Sequence, residues 1–399
     1  MTELKFVDEI NISKKVVLLR VDLNVPLNSK LEITDDNRLV RSIETIKYIL
    51  SNNSKCILVS HLGRPKGIGY EKKFSLENIV NTLSTLLKTN VLLIKNYFSD
   101  GFSIETFLKK SDVILLENIR FQKEEKLNDE GFAKKLASFA DTYVNDAFGT
   151  THRKHASTYS IVKYFNQKCA GLLIKSEVEN IHKLLSIKKS PFTAILGGSK
   201  VSDKIDIIKK LIRIVDNIII GGAMSNTFIK FLGGNIGDSM YEAEKLSLVA
   251  NLIDDIKNHN VNLYLPKDVI CSKGLHDINN IKIFDSNDIP KGYSCYDIGN
   301  KSISIFSNII INSKKVIWNG PMGVFENENF SNGTLKITDA LVKATSNDTF
   351  SLVGGGDSVA AIKKSKKMDK ISFISTGGGA LIEYISKGIT PCLKLLENK

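Results

Sequence analysis

Short apolar runs rich in Val, Ile and Leu recur along the whole chain between longer amphipathic stretches. Runs of that kind, buried on both faces and separated by helix-length segments, are the mark of parallel strands joined by crossover helices. In the first half they are Val16–Leu19, Cys56–Val59, Val91–Ile94, Val113–Leu116 and Thr142–Val144. Between the first two lies Arg38–Leu50, where Leu39, Ile43, Ile46 and Leu50 fall at helical spacing behind Asp35 and Asp36, acids that suit a helix N-terminus. The second half repeats the grammar with Ala194–Leu196, Asn217–Ile220, Leu263–Leu265, Val316–Trp318, Phe350–Val353 and Ile371–Ile374. Gly171–Ser186 carries Ile174, Val178, Ile181 and Leu185 on one face and ends near Ser190–Pro191, as a helix stopped by proline does. The expected architecture is α/β: two doubly wound parallel-sheet, Rossmann-like lobes at 1–170 and 191–383, joined by a linker helix and hinge at 171–190. No internal repeat or low-complexity segment competes with it.

A chain of 399 residues, 42% of them hydrophobic, outgrows a single core, which agrees with more than one lobe. MTELKFVDEINISKK contains neither the apolar stretch of a signal peptide nor an Arg-rich transit pattern, and no run approaches the roughly 18 apolar residues of a membrane span. Cys56, Cys169, Cys271, Cys295 and Cys392 are odd in number, scattered and free of metal-ligand spacing. A reducing, cytoplasmic setting is expected, with no membrane partner. The formal charge of +12 is spread over single lysines without an aromatic-interleaved basic stripe, so surface solvation explains it better than nucleic acid does.

In open parallel sheets, ligands bind outside the carboxyl ends of the strands, so the residues following each apolar run bear on function. In the first half these are polar and rich in cations. RVDLNVP brings Asp22 and Asn24, HLGRP brings His61 and Arg64, ENIRF brings Arg120, and NDAFGTTHRKH brings His152 and Arg153; Arg38 joins from the start of the intervening helix. Planar guanidinium groups suit bidentate recognition of carboxylate or phosphate, while Asp22 and Asn24 can hold a hydroxyl and orient the arginines. Arg20 reads as structural, paired within its loop. A small, doubly anionic molecule is the expected ligand.

In the second half the strands run into glycine: LGGSKVSDK, GGAMSNTF, WNGPMGVFE, VGGGDS and STGGGA. Glycine turns with bare N–H groups, followed by a helix N-terminus, make a phosphate cradle, and Val359 and Ile362 mark such a helix after VGGGDS. Neither GxxxxGK[ST] nor GxGxxG is present, which excludes the common nucleotide fingerprints. Lys200 and Lys204 lie four apart around an expected helix start, which would place both ammonium groups on one side near the phosphates, and Asp357 is placed to hold Mg2+. A small-molecule kinase and a ligase with an acyl-phosphate intermediate both fit a cationic lobe combined with a glycine-rich one.

RVDLNVP, HLGRP, LLENIRF, NDAFGTTHRKHAS, ILGGSKVSDK, WNGPMGVFE, GGGDS and STGGGA, in that order and across essentially the whole chain, resemble the phosphoglycerate kinases. The resemblance implies reversible, Mg2+-dependent phosphoryl transfer between ATP and the carboxylate of 3-phosphoglycerate by a monomer that closes about a hinge. It implies that Asp22, Asn24, Arg38, His61, Arg64, Arg120, His152 and Arg153 bind 3-phosphoglycerate. Nucleotide contacts would come from Gly198, Gly221, Gly222 and Val324 near adenine, Glu326 at the ribose, and Lys204, Asn319 and Gly354, Gly355, Gly356, Asp357 and Ser358 at the phosphates. Asp357 would bind Mg2+, and the catalytic set would be Arg38, Lys200, Gly354 and Gly377. Residues 384–399 would return to the N-terminal lobe. Cys295 and Asn300 in YSCYDIGN stand where the family usually has Gly and Pro, and TPCL replaces the more usual LPGV.

Overall fold

The computed structural model describes residues 4–397, which form two units: residues 4–179 with 379–397, and Asn180–Gly378. The division falls inside the helix Leu172–Ser186.

In the first unit the strands are β1 (Val16–Arg20), β2 (Lys55–Val59), β3 (Val91–Ile94), β4 (Val113–Leu116), β5 (Thr142–Asn145) and β6 (Gln167–Ala170). They form one parallel sheet in the order β3-β4-β2-β1-β5-β6. β6 escapes a sequence search because QKCA has no apolar run; it is the last strand of the sheet, paired to β5 along its length and to Phe6 by a single bridge at Ala170. The helix Asn37–Ser51 buries Leu39, Ile46 and Ile49 against Leu19, Leu58 and Leu115 in one continuous core. The chain moves from β1 toward β2 on one side and from β5 toward β6 on the other. A crevice therefore opens above the carboxyl ends of β1 and β5, where two strands' connections part. RVDLNVP and NDAFGTTHRKH flank it. The returning segment joins this unit through a bridge between Leu4 and Glu397 and a hydrogen bond from Cys392 N–H to Thr151 O at 3.1 Å.

The second unit contains β7 (Phe192–Leu196), β8 (Asn217–Ile220), β9 (Asn235–Ile236), β10 (Asn262–Tyr264), β11 (Asp268–Ser272), β12 (Lys282–Asp285), β13 (Asp288–Ile289), β14 (Ser294–Ile298), β15 (Lys315–Asn319), β16 (Phe350–Val353) and β17 (Phe373–Ile374). Its parallel sheet runs β10-β8-β7-β15-β16-β17, and the connections part between β7 and β15. The α/β architecture with two parallel sheets is as expected. One addition is the antiparallel sheet β12-β11-β14, whose strands, such as the polar SCYDI and the exposed KIFD, do not read as apolar runs.

Candidate active site

The first half-site is built at the carboxyl ends of β1, β2, β4 and β5. Arg38, in the first turn of the helix Asn37–Ser51, is ion-paired to Asp22. Asn24 accepts the N–H of Gly63 at 2.7 Å and so ties the loop after β1 to the one after β2. Arg120 donates to Gly63 O at 2.9 Å while its buried Nε has no partner. Arg153 Nε donates to His152 Nε2 at 3.0 Å, which puts the ring proton on Nδ1, itself buried and unpaired. Arg64 is exposed.

Electrostatics show that most of these groups share one space. Burial, then Arg20, Arg120, Arg38 and Arg153, push His61 well below its ordinary range. Burial and the charges of Arg20 and Arg153 press Arg120 down to about 10. A guanidinium under that pressure marks an excess of positive charge that an anion would relieve. Arg20 is wholly buried and bonds Val21 O within its loop, but its other partners, Ser157 and His61, come from outside the loop in which the sequence reading paired it.

The second half-site lies where β7 and β15 part. A Cβ on Gly197 would sit 2.0 Å from Pro321 O, and one on Gly320, at φ +104°, would sit 2.1 Å from Gly197 O. Only glycine lets these strand ends approach so closely. Beside them is a cavity of about 270 Å3 lined in part by Gly198, Gly222, Val324, Glu326 and Asp357. Gly221 is not among the lining residues; its N–H bonds Leu196 O at 2.9 Å. Tyr296 and Ile298 of β14 and Val269 of β11 supply an apolar wall that sequence reading missed together with their sheet. Cys295, from the same strand, also faces this cavity.

Lys200 and Lys204 do not share a helix face. The helix begins only at Ile205, so Lys204 is its N-cap and Lys200 sits in the exposed loop before it. The loop is anchored by Glu242, which accepts the Ser202 N–H at 2.9 Å and its hydroxyl at 2.6 Å. Lys204 Nζ is bonded to Asn319 Oδ1, and Asn319 Nδ2 donates to Gly354 O at 3.1 Å. Gly354 N–H is spent on Trp318 O at 2.9 Å and Gly377 N–H on Ser375 Oγ at 3.0 Å. The open donors at the phosphate turn are therefore the first-turn N–H groups of the helix Gly356–Lys364, at Gly356, Asp357 and Ser358, next to the positive-φ N-cap Gly355. The Ser358 hydroxyl faces away and holds Gly320 N–H at 2.5 Å.

The sequence matches the family described as Phosphoglycerate kinase over residues 7–387. The chain belongs to the phosphoglycerate kinase family. It is similar to the phosphoglycerate kinase of Finegoldia magna, 43% identical over 398 residues that cover 99% of each chain. It is similar to the cytosolic phosphoglycerate kinase of Triticum aestivum, 46% identical over 390 residues, or 98% of this chain and 97% of the relative. The structure of phosphoglycerate kinase from Coxiella burnetii superposes with a TM-score of 0.84 at 36% identity, covering 99% of both chains. As a phosphoglycerate kinase, the chain transfers a phosphoryl group reversibly between ATP and the carboxylate of 3-phosphoglycerate, a glycolytic step that uses Mg2+. No helix among the described residues is long and apolar enough to cross a membrane.

Proposed function

We propose that the arginine crevice of the first unit binds 3-phosphoglycerate, and that the glycine crevice of the second binds the nucleotide. The observation that carries this division is Arg120, buried, pressed down to about 10 by burial and neighbouring guanidiniums, and short of a partner at Nε. Such a site suits a compact anion that can meet several guanidinium groups at once, and 3-phosphoglycerate carries both a phosphate and a carboxylate on a three-carbon frame. Asp22 and Asn24 hold Arg38 and the HLGRP loop in register, while Arg64 and Arg153 supply exposed cations.

The acceptor is a carboxylate, with a pKa of about 4 in simple acids, so it is ionised near neutrality and needs no general base. Catalysis then rests on alignment and on stabilising charge over the equatorial oxygens of the transferring group. Arg38 from one unit, set by its ion pair with Asp22, and the exposed Lys200 from the other are the cations for that task, and Lys204 with the Gly356–Ser358 amides holds the nucleotide phosphates. Glu326 suits the ribose hydroxyls and Val324 the base.

For Mg2+, the single exposed carboxylate of Asp357, beside these amides, fits a cation held mainly by ATP oxygens and water. Among the described residues no three ligand-type side chains cluster to hold a metal alone. When bound, the ion would neutralise phosphate charge and orient the transferring group.

Because the half-sites belong to different units, transfer requires the units to close about the linker helix and exclude water. A scattering profile unchanged by both substrates together would contradict closure. A cytoplasmic monomer is the setting that fits the free thiols and the self-contained units. The assay is ATP, Mg2+ and 3-phosphoglycerate coupled to an NADH-consuming dehydrogenase. Turnover lost in Arg38→Ala supports the assignment, whereas full turnover without Arg38 would refute it.

A further inference from the structure

Beneath the arginine crevice lies a carboxylate with no role in the reaction described so far. Glu125, in the short helix Lys123–Leu127, is wholly buried. Its Oε2 accepts the Ser157 N–H at 2.8 Å and its Oε1 the Ser157 hydroxyl at 2.7 Å. That hydroxyl accepts from Arg20 Nε at 3.0 Å, and the far end of the same guanidinium, Nη2, lies 3.1 Å from His61 Nδ1. Arginine has donors only, so His61 Nδ1 is the acceptor and the ring proton resides on Nε2.

We propose that Glu125 is a positioning residue for the phosphoryl-transfer reaction: through Ser157 and Arg20 it fixes the Nε2–H tautomer of His61, so that the ring offers a donor to the anionic substrate. The proposal rests on the reading that this crevice binds 3-phosphoglycerate.

Physical reasoning supports each link. His61 is kept neutral by burial and by Arg20, Arg120, Arg38 and Arg153, so the ring has two tautomers open to it. One turns an N–H toward an anion held in the crevice; the other turns a lone pair toward it, which repels. The choice falls to whatever occupies Nδ1. Arg20 occupies it, and Arg20 is itself immobilised by Ser157 Oγ on one edge and Val21 O on another. Without Glu125 the Ser157 hydroxyl loses the acceptor that orients its lone pairs toward Arg20 Nε. Glu125 also lies 3.8 Å from His155 Nδ1, beneath the same cluster. A carboxylate serving only to balance buried Arg20 would affect stability and leave the His61 tautomer untouched.

The test uses the full chain labelled with 15N-histidine. Long-range 1H–15N spectra report which nitrogen of His61 carries the proton, and KM is measured separately for each substrate. Wild type is expected to show Nε2–H. Glu125→Gln and Ser157→Ala are expected to populate the other tautomer and raise KM for 3-phosphoglycerate roughly tenfold, with KM for ATP unchanged. Folded variants that keep Nε2–H and the wild-type KM overturn the proposal. If Glu125→Gln does not fold, Ser157→Ala decides, since it removes only the hydroxyl link. Arg64→Ala, outside the relay, tests the underlying site. An unchanged KM for 3-phosphoglycerate there overturns the site reading and the relay with it, whereas a raised KM alongside an undisturbed tautomer in Glu125→Gln overturns the relay alone.

Discussion

Lys204 and Asn319 are locked together: the ammonium bonds Asn319 Oδ1, while the other end of that amide holds the carbonyl of Gly354 at 3.1 Å. One side chain thus sets the position of Lys204 and of the glycine turn. Asn319→Ala should release both. Losing a charge-assisted bond of this kind costs about 1.5–3 kcal/mol, so kcat/KM for ATP should fall at least about tenfold. Steady-state kinetics check this, and an unchanged value would mean that Lys204 is oriented by something else.

Arg38 and Lys200 are assigned to charge that develops during transfer. Arg38→Ala and Lys200→Ala should each cost about 3 kcal/mol of barrier, a loss of about a hundredfold in kcat, while substrate dissociation constants change far less. Calorimetric titration beside turnover separates the two effects. A loss confined to binding would make either residue a simple anchor.

Asp146 is a buried carboxyl between Gly171 and the start of the helix Leu172–Ser186, where it accepts the N–H of Ile174 at 3.1 Å. Burial pushes it up to about 7, against an ordinary aspartate value of 3.8. Between those values the folded state keeps the proton and the unfolded state releases it. Its contribution to stability is therefore full below the lower value and is lost as pH rises through the higher one. Asp146→Asn removes that titration and keeps the acceptor. The melting temperature of the variant relative to wild type should increase from about pH 4 to about pH 8. A constant difference across that range would place the Asp146 proton elsewhere.

Gly320 has no room for a side chain: at φ +104° a Cβ would lie 2.1 Å from Gly197 O. Gly320→Ala should destabilise the second unit by about 3 kcal/mol or more, through strain and displacement of the β7 and β15 ends. Urea titration should show a lowered midpoint. Substitution at Gly198, whose Cβ would meet nothing within 4 Å but whose φ is +113°, should cost less, roughly 1–2 kcal/mol.

The strands that carry the half-sites were legible because a strand buried on both faces has to be apolar and its end, facing solvent and ligand, does not. Asp22, His61, Arg120 and His152 were found by that contrast. β6 and the β12-β11-β14 sheet were not, since edge and surface strands such as QKCA and KIFD need no apolar run. Spacing misled for Lys200 and Lys204, because helical periodicity says nothing about where the first turn starts, and it starts at Ile205. Which glycine amides remain open was likewise invisible: Gly354 and Gly377 look like Gly356 in sequence, yet sheet and loop partners consume their N–H groups. Glu125 reads as one more charge in KEEK, and its partner Ser157 is 32 residues away. Arg20 and Ser157 are 137 residues apart, a pairing that only the fold creates.

The first unit recruits the helix Gly379–Lys387 and the segment through Glu397, whereas the second is one unbroken stretch, Asn180–Gly378. On the ribosome this inverts the usual order. The unit whose synthesis begins first waits for residues made after Gly378, while the later unit already has every strand of its sheet. A nascent chain arrested near that point would carry an incomplete first unit and a finished second unit, and chaperone engagement should concentrate on the former.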